Sequence, residues 1–174
     1  MVIQQHRYDR QFVLIFHQRL GQGRKAAAAF GLQLVALAQT GFPAERLELE
    51  LTESALMERE DDAVETLIRL RAQGVRLAID DFGTGYSSLA HLKRFPIDVL
   101  KIDRSFVEDI PESEDDREIA ATIVAMGHTL GLKVLAEGVE TDAQLAFLRE
   151  RGCDLYQGYL KSPAVPAEEF EVLV

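Results

Sequence analysis

The feature that most constrains this chain is a repeated rhythm. A short apolar run ends in a polar residue and gives way to a helical pattern, five times in succession, with runs at 47–51, 75–79, 98–102, 133–136 and 153–156. Helical periodicity occupies 61–73, 87–94, 115–130 and 142–151 between and around them. Gly74, Gly131 and Gly152 follow three of these helices where a left-handed cap belongs, and Thr141 and Asp142 stand where an N-cap belongs. Strands alternating with helices at this spacing predict parallel βα units. The stretch FVLIF at 12–16 reads as one more strand and 24–39 as a helix, whereas the first ten residues show no clear pattern.

A doubly wound sheet and a partial (β/α)8 barrel both accommodate five or six such units. The polar residues favour the barrel. Glu50, Asp80, Lys101, Glu137 and Gln157 lie at the ends of successive runs. In a barrel those ends converge on one mouth, whereas in an open sheet they spread along an edge. Strand alternation also puts Glu48 with Glu50, Ala78 with Asp80, and Val99 with Lys101 on shared faces. Carboxylates gathered without cations would repel and lose hydration. An oxygen-rich set of this kind suits Mg²⁺ or Mn²⁺, and two such ions can hold the attacking and leaving oxygens of a phosphoester displacement. A lysine beside them positions or deprotonates a water, or forms a Schiff base as in barrel aldolases; the surrounding carboxylates favour the metal chemistry.

Charge narrows the partners. The chain carries 29 Asp and Glu against 19 Lys and Arg, a net charge of −10, which argues against a broad surface for duplex DNA or RNA. A small anionic ligand would need cations to offset that field. The single cysteine, Cys153, allows no internal disulfide and points to a reducing, cytoplasmic setting. No signal pattern opens the chain, and the longest uncharged stretch, 26–44, is interrupted by Gln33, Gln39, Gly41 and Pro43, so no membrane segment is expected.

Five motifs in series sharpen the reading: LELELTES, DDFGTGYSSL, LKIDRSFV, VLAEGVET and YQGYL. In this order they closely resemble the EAL-domain family of bacterial cyclic di-GMP phosphodiesterases. The resemblance covers about 41–174 and implies a TIM-like (β/α) barrel that hydrolyses cyclic di-GMP to linear pGpG with two Mg²⁺ or Mn²⁺ ions. It implies metal-ligand roles for Glu50, Asp80, Asp81 and Glu137, with Asp80 touching both ions. Lys101 would orient or activate the water, Glu137 would hold it, and Gln157 would bond to the water network. Glu53 would tether the loop 82–88, and Glu140 would support the site from nearby. That loop contributes to dimer contacts in the family, so a homodimer is implied. Blander roles stand beside three of these: Asp81 as a loop cap, Glu140 as a helix-dipole partner, and Gln157 as a turn residue.

The chain departs from the family pattern. The Glu-Ala-Leu motif on an early strand, whose glutamate is a family metal ligand, does not occur here, and neither does a nearby phosphate-contacting arginine. Lys161 and Pro163 replace residues that are usually aromatic and often arginine. The expectation is therefore one EAL-like domain over 1–174, with 1–23 matching poorly and the N-terminal βα units missing. It would form a partial TIM-like barrel of about five or six parallel strands with a weakened metal pair. Dimerisation, strand exchange or altered N-terminal packing would cover the open edge. Three functional readings follow: a cyclic di-GMP phosphodiesterase, a non-catalytic cyclic di-GMP-binding or protein-interaction module, or a different metal-dependent barrel enzyme.

Overall fold

The computed structural model describes residues 2–4, 13–17, 39, 41, 43–52, 60–83 and 92–163. Among these residues seven strands form one sheet: β1 (Val2–Gln4), β2 (Val13–His17), β3 (Leu47–Thr52), β4 (Arg76–Phe82), β5 (Val99–Ile102), β6 (Lys133–Ala136) and β7 (Leu155–Tyr156). Among the described residues three helices accompany them: α1 (Glu60–Arg71), α2 (Glu114–Thr129) and α3 (Asp142–Glu150). Strand order in the sheet is chain order. The six strands β2 to β7 run parallel, and β1 joins the edge antiparallel to β2. This is the partial (β/α) barrel that the rhythm of runs predicts; β1 had no sequence signal. Most of the predicted helices at 24–39 and 87–94 lie outside the described residues, as do Glu53 and most of the loop 82–88.

Alternation along each strand builds two interiors. Leu47, Leu49 and Leu51 join Leu77, Ile79, Leu100, Ile102 and Val134 in a core packed beneath the helices, where Leu67, Leu70, Ile123, Val124, Leu145 and Leu148 meet them. Each fully buried Leu or Ile adds roughly 1.5–3 kcal/mol. On the other face, Ala78, Val99 and Leu135 form a small apolar layer against Leu155. Both faces of the central strands are thus covered, which is why those strands read as near-continuous apolar runs. Gly127 brings α2 close to β6: a Cβ there would lie 2.3 Å from Val134 Cγ2.

The N-terminal ends of the strands carry one device twice. Asp98, before β5, donates its N–H to the Leu77 carbonyl and accepts the Leu77 N–H at Oδ2, 3.1 Å. Its Oδ1 pairs with Arg71 at the end of α1, 2.8 Å. Asp154, before β7, does the same with Val134 of β6 and with His128 in the last turn of α2, 2.8 Å. Each aspartate pins a strand to its neighbour and to the helix that precedes that neighbour. No helix among the described residues is long and apolar enough to cross a membrane.

Candidate functional site

The opposite, C-terminal ends of the strands gather the polar residues. Lys101 sits at the centre and is fully buried. Its Nζ lies 2.5 Å from Glu50 Oε1 of β3, 2.8 Å from Asp80 Oδ1 of β4, and 2.5 Å from Glu137 Oε1 just after β6. Gln157, just after β7, donates Nε2 to the same Glu137 oxygen at 2.7 Å. Five residues from five successive strands therefore meet, because each lies on the inward face at the end of its strand.

Asp81 enters by a different route. The register between β4 and β5 shifts between Ile79 and Phe82, and Asp81 adopts φ of 55°, a left-handed conformation that aspartate tolerates better than most side chains. The bulge lets two consecutive aspartates serve one site, although ideal strand geometry would point them to opposite faces. Asp80, Asp81 and Glu137 each offer a carboxylate oxygen, and the three oxygens lie within 4.8 Å of one another. Three carboxylates so placed fit a hard divalent cation with oxygen ligands. Glu50 stands outside this triad and meets it through Lys101.

Electrostatics follow from burial and neighbours. Burial alone works to lower the Lys101 pKa, but Glu137, Glu50 and Asp80 outweigh it and hold the ammonium above its ordinary range. A charged Lys101 can orient a group but has no lone pair with which to take a proton. Burial raises the Asp81 carboxyl, and Asp80 and Asp103 add to that. Burial likewise raises Glu137, against the pull of Lys101. One layer below, burial pushes Glu48 up to about 7 although the Arg76 guanidinium opposes it from 3.8 Å.

Four residues at the site were not singled out by the sequence reading. Asp103 caps the short 3₁₀ turn Arg104–Phe106: its Oδ1 accepts from Ser105 N at 2.9 Å and from Ser105 Oγ, and its carboxyl lies close enough to Asp81 to help raise that residue's pKa. Its signal was visible in Asp-x-Ser directly after Lys101-Ile102. Arg104 ion-pairs with Glu140 at 3.2 Å. Gly138 makes room for that arginine, since a Cβ there would lie 2.5 Å from Arg104 Cγ. Gln144 links Glu140 and Thr141 to the carbonyls of Val107 and Glu108. Glu140 thus supports the turn after β6 and does not join the carboxylate triad.

Comparison with known proteins places this geometry. The family model described as EAL domain matches residues 10–164. The cyclic di-GMP phosphodiesterase NbdA of Pseudomonas aeruginosa is 60% identical over 136 residues, which is 78% of this chain and 17% of that protein. The chain therefore spans about a sixth of the length of this curated relative. The solved structure of the PaMucR phosphodiesterase in complex with c-di-GMP matches with a TM-score of 0.77 at 46% identity, covering 83% of this chain and 61% of that one. BlrP1 of Klebsiella pneumoniae, solved with manganese and cy-diGMP, matches with a TM-score of 0.71 at 38% identity, covering 79% and 35%.

Proposed function

Because the chain belongs to the EAL domain family, we propose that it carries the metal-binding half of a cyclic di-GMP phosphodiesterase site. The observation that carries the reading is the meeting of Asp80, Asp81 and Glu137 around the buried Lys101 ammonium. The substrate follows from the relatives: NbdA is named for this activity and PaMucR was solved with the dinucleotide. Mn²⁺ or Mg²⁺ is the cation that the oxygen donors suit, and BlrP1 was solved with manganese.

Hydrolysis to pGpG adds water across one phosphodiester: oxygen bonds to phosphorus, the P–O3′ bond breaks, and a proton ends on the 3′ oxygen. A divalent cation bound at the triad would polarise a phosphate oxygen and acidify a neighbouring water. Lys101 holds Glu50, Asp80 and Glu137 in one orientation and, as an ammonium, can orient the attacking water. Lys101 and Gln157 both bond to Glu137 Oε1, which leaves Oε2 outside these two contacts and able to face a water or cation. Asp81, aimed by the bulge and left-handed at φ of 55°, completes the set of oxygens. Glu53, outside the described residues, keeps its proposed role of tethering the loop after β4. A homodimer and a cytoplasmic setting accompany this reading; the inert, buried Cys153 thiol, pushed up to about 12, suits a reducing compartment.

A second reading is binding without turnover. It is favoured by the position of Glu50, whose Oε1 pairs with Lys101 and which lies outside the Asp80–Asp81–Glu137 group. The test is direct. The chain is incubated with cyclic di-GMP and Mn²⁺, and the products are separated by chromatography. Linear pGpG that disappears in Glu137→Gln supports hydrolysis. Metal-dependent binding without product selects the second reading. Binding of neither metal nor dinucleotide overturns both.

A further inference from the structure

Lys101 lies near the end of β5 and Glu137 opens the turn after β6, and a single side chain spans the segments that follow them. Gln144 lies in the first turn of α3 and is 4% exposed. Its Oε1 accepts the backbone N–H of Glu140 at 2.8 Å and of Thr141 at 2.9 Å. Its Nε2 donates to the carbonyls of Val107 at 3.1 Å and Glu108 at 3.0 Å. A primary amide has two donor hydrogens and two acceptor lone pairs, so this one is fully used.

Capping α3 requires only half of that. Thr141 Oγ1 accepts from Gln144 N at 3.2 Å while Gln144 reaches back to Thr141 N, a reciprocal capping box. The bonds to Val107 and Glu108 add nothing to the helix. They tie its first turn to backbone that lies 37 and 36 residues earlier. The Arg104–Glu140 pair bridges the same two segments, but it is half-exposed and correspondingly weak.

We propose that Gln144 is a positioning residue, a buried amide clasp that locks the Glu137-bearing turn against the turn following Lys101. An apolar side chain in its place would strand the Glu140 and Thr141 N–H groups, take a donor from the Val107 and Glu108 carbonyls, of which Val107 keeps the Ile110 N–H, and release the two turns from each other. Groups that orient a metal ligand typically change affinity 10- to 100-fold when removed. The expected effect on metal binding rests on the proposed function above; the clasp itself does not.

The experiment compares wild type, Gln144→Glu and Thr141→Ala. Gln144→Glu keeps an acceptor for the Glu140 and Thr141 N–H groups and cannot bridge both carbonyls. Thr141→Ala weakens the helix cap and leaves the bridge intact. Two readouts are taken: Mn²⁺ affinity by electron paramagnetic resonance, and amide hydrogen exchange at Glu137 and Val139, whose N–H groups bond to Ile102 and Gln157 carbonyls. The clasp predicts that Gln144→Glu weakens Mn²⁺ binding about tenfold and speeds exchange at both amides by a similar factor, with neither effect in Thr141→Ala. Equal effects in the two variants, or unchanged exchange in Gln144→Glu, overturn it. A wild-type chain that binds no Mn²⁺ overturns the metal reading alone, and exchange then decides the clasp. If Gln144→Glu does not fold, exchange at Glu137 and Val139 in wild type against Thr141→Ala and Glu140→Ala decides: protection retained in both variants supports the clasp, and protection lost in Glu140→Ala, which removes only the Arg104 pair, overturns it.

Discussion

Lys101 Nζ and Glu137 Oε1 lie 2.5 Å apart across the β5–β6 pair, in a position where the lysine is fully sealed from solvent. The same nitrogen reaches Glu50 and Asp80, so one cation offsets acids from three strands. Burying such charges is unfavourable unless the geometry is good, and it leaves a large penalty if one partner is taken away.

Lys101→Met is therefore expected to destabilise the metal-free chain by about 3–5 kcal/mol at pH 7, read from urea unfolding in EDTA. Mn²⁺ should recover part of that loss, since it returns positive charge to two of the same carboxylates, Asp80 and Glu137. A variant as stable as wild type in EDTA would contradict the central place given to this ammonium.

Asp81→Asn should separate stability from function. Asparagine accepts the left-handed backbone at φ of 55° and removes a carboxyl that burial, Asp80 and Asp103 all disfavour as an anion. The variant is expected to unfold at an equal or higher temperature than wild type in EDTA. Its Mn²⁺ affinity should nevertheless fall, because a charged oxygen of the triad is gone. Retained affinity would remove Asp81 from the set.

Glu48 gives the chain a pH signature. Its carboxyl is held at about 7 against an ordinary 4.5, chiefly by burial. A raised acid pKa means that the folded state holds a proton that the unfolded state has lost. This contribution is therefore fully present below about pH 4.5 and is lost as pH rises to about 7, on the order of 3 kcal/mol in all. Glu48→Gln should flatten that part of the stability profile and equal or exceed wild type at pH 8. An unchanged slope in urea titrations across this window would contradict the assignment.

Much of the site was legible because strand periodicity is strict. Glu50, Asp80, Lys101, Glu137 and Gln157 each end an apolar run, and an inward position at a strand's end is all that convergence requires. Asp81 was legible only through the family motif, since the register shift that aims it depends on how β4 and β5 pair. Gln144 was hidden for another reason: its partners at Val107 and Glu108 are backbone carbonyls, which every residue has. The antiparallel β1 left no trace, because its three paired residues are too few to show a period.

Asp154→Ala should show the opposite division of labour from Asp81→Asn. It removes the acceptor for Val134 N and the partner of His128, at the strand ends remote from the carboxylates. A loss of about 1–3 kcal/mol in urea unfolding is expected for the stranded N–H, with Mn²⁺ affinity unchanged once the protein is folded. Asp98→Ala should behave alike, as the second copy of the same device.

The sheet is threaded so that each strand's hydrogen-bonded neighbours are the strands before and after it in the chain. During synthesis, a strand leaving the ribosome finds its partner already made, and no earlier segment has to wait for a distant one. The cluster around Lys101 follows the same schedule. Glu50 emerges first and Gln157 last, so the acids accumulate before the pocket is whole, and the lysine that reconciles them arrives midway.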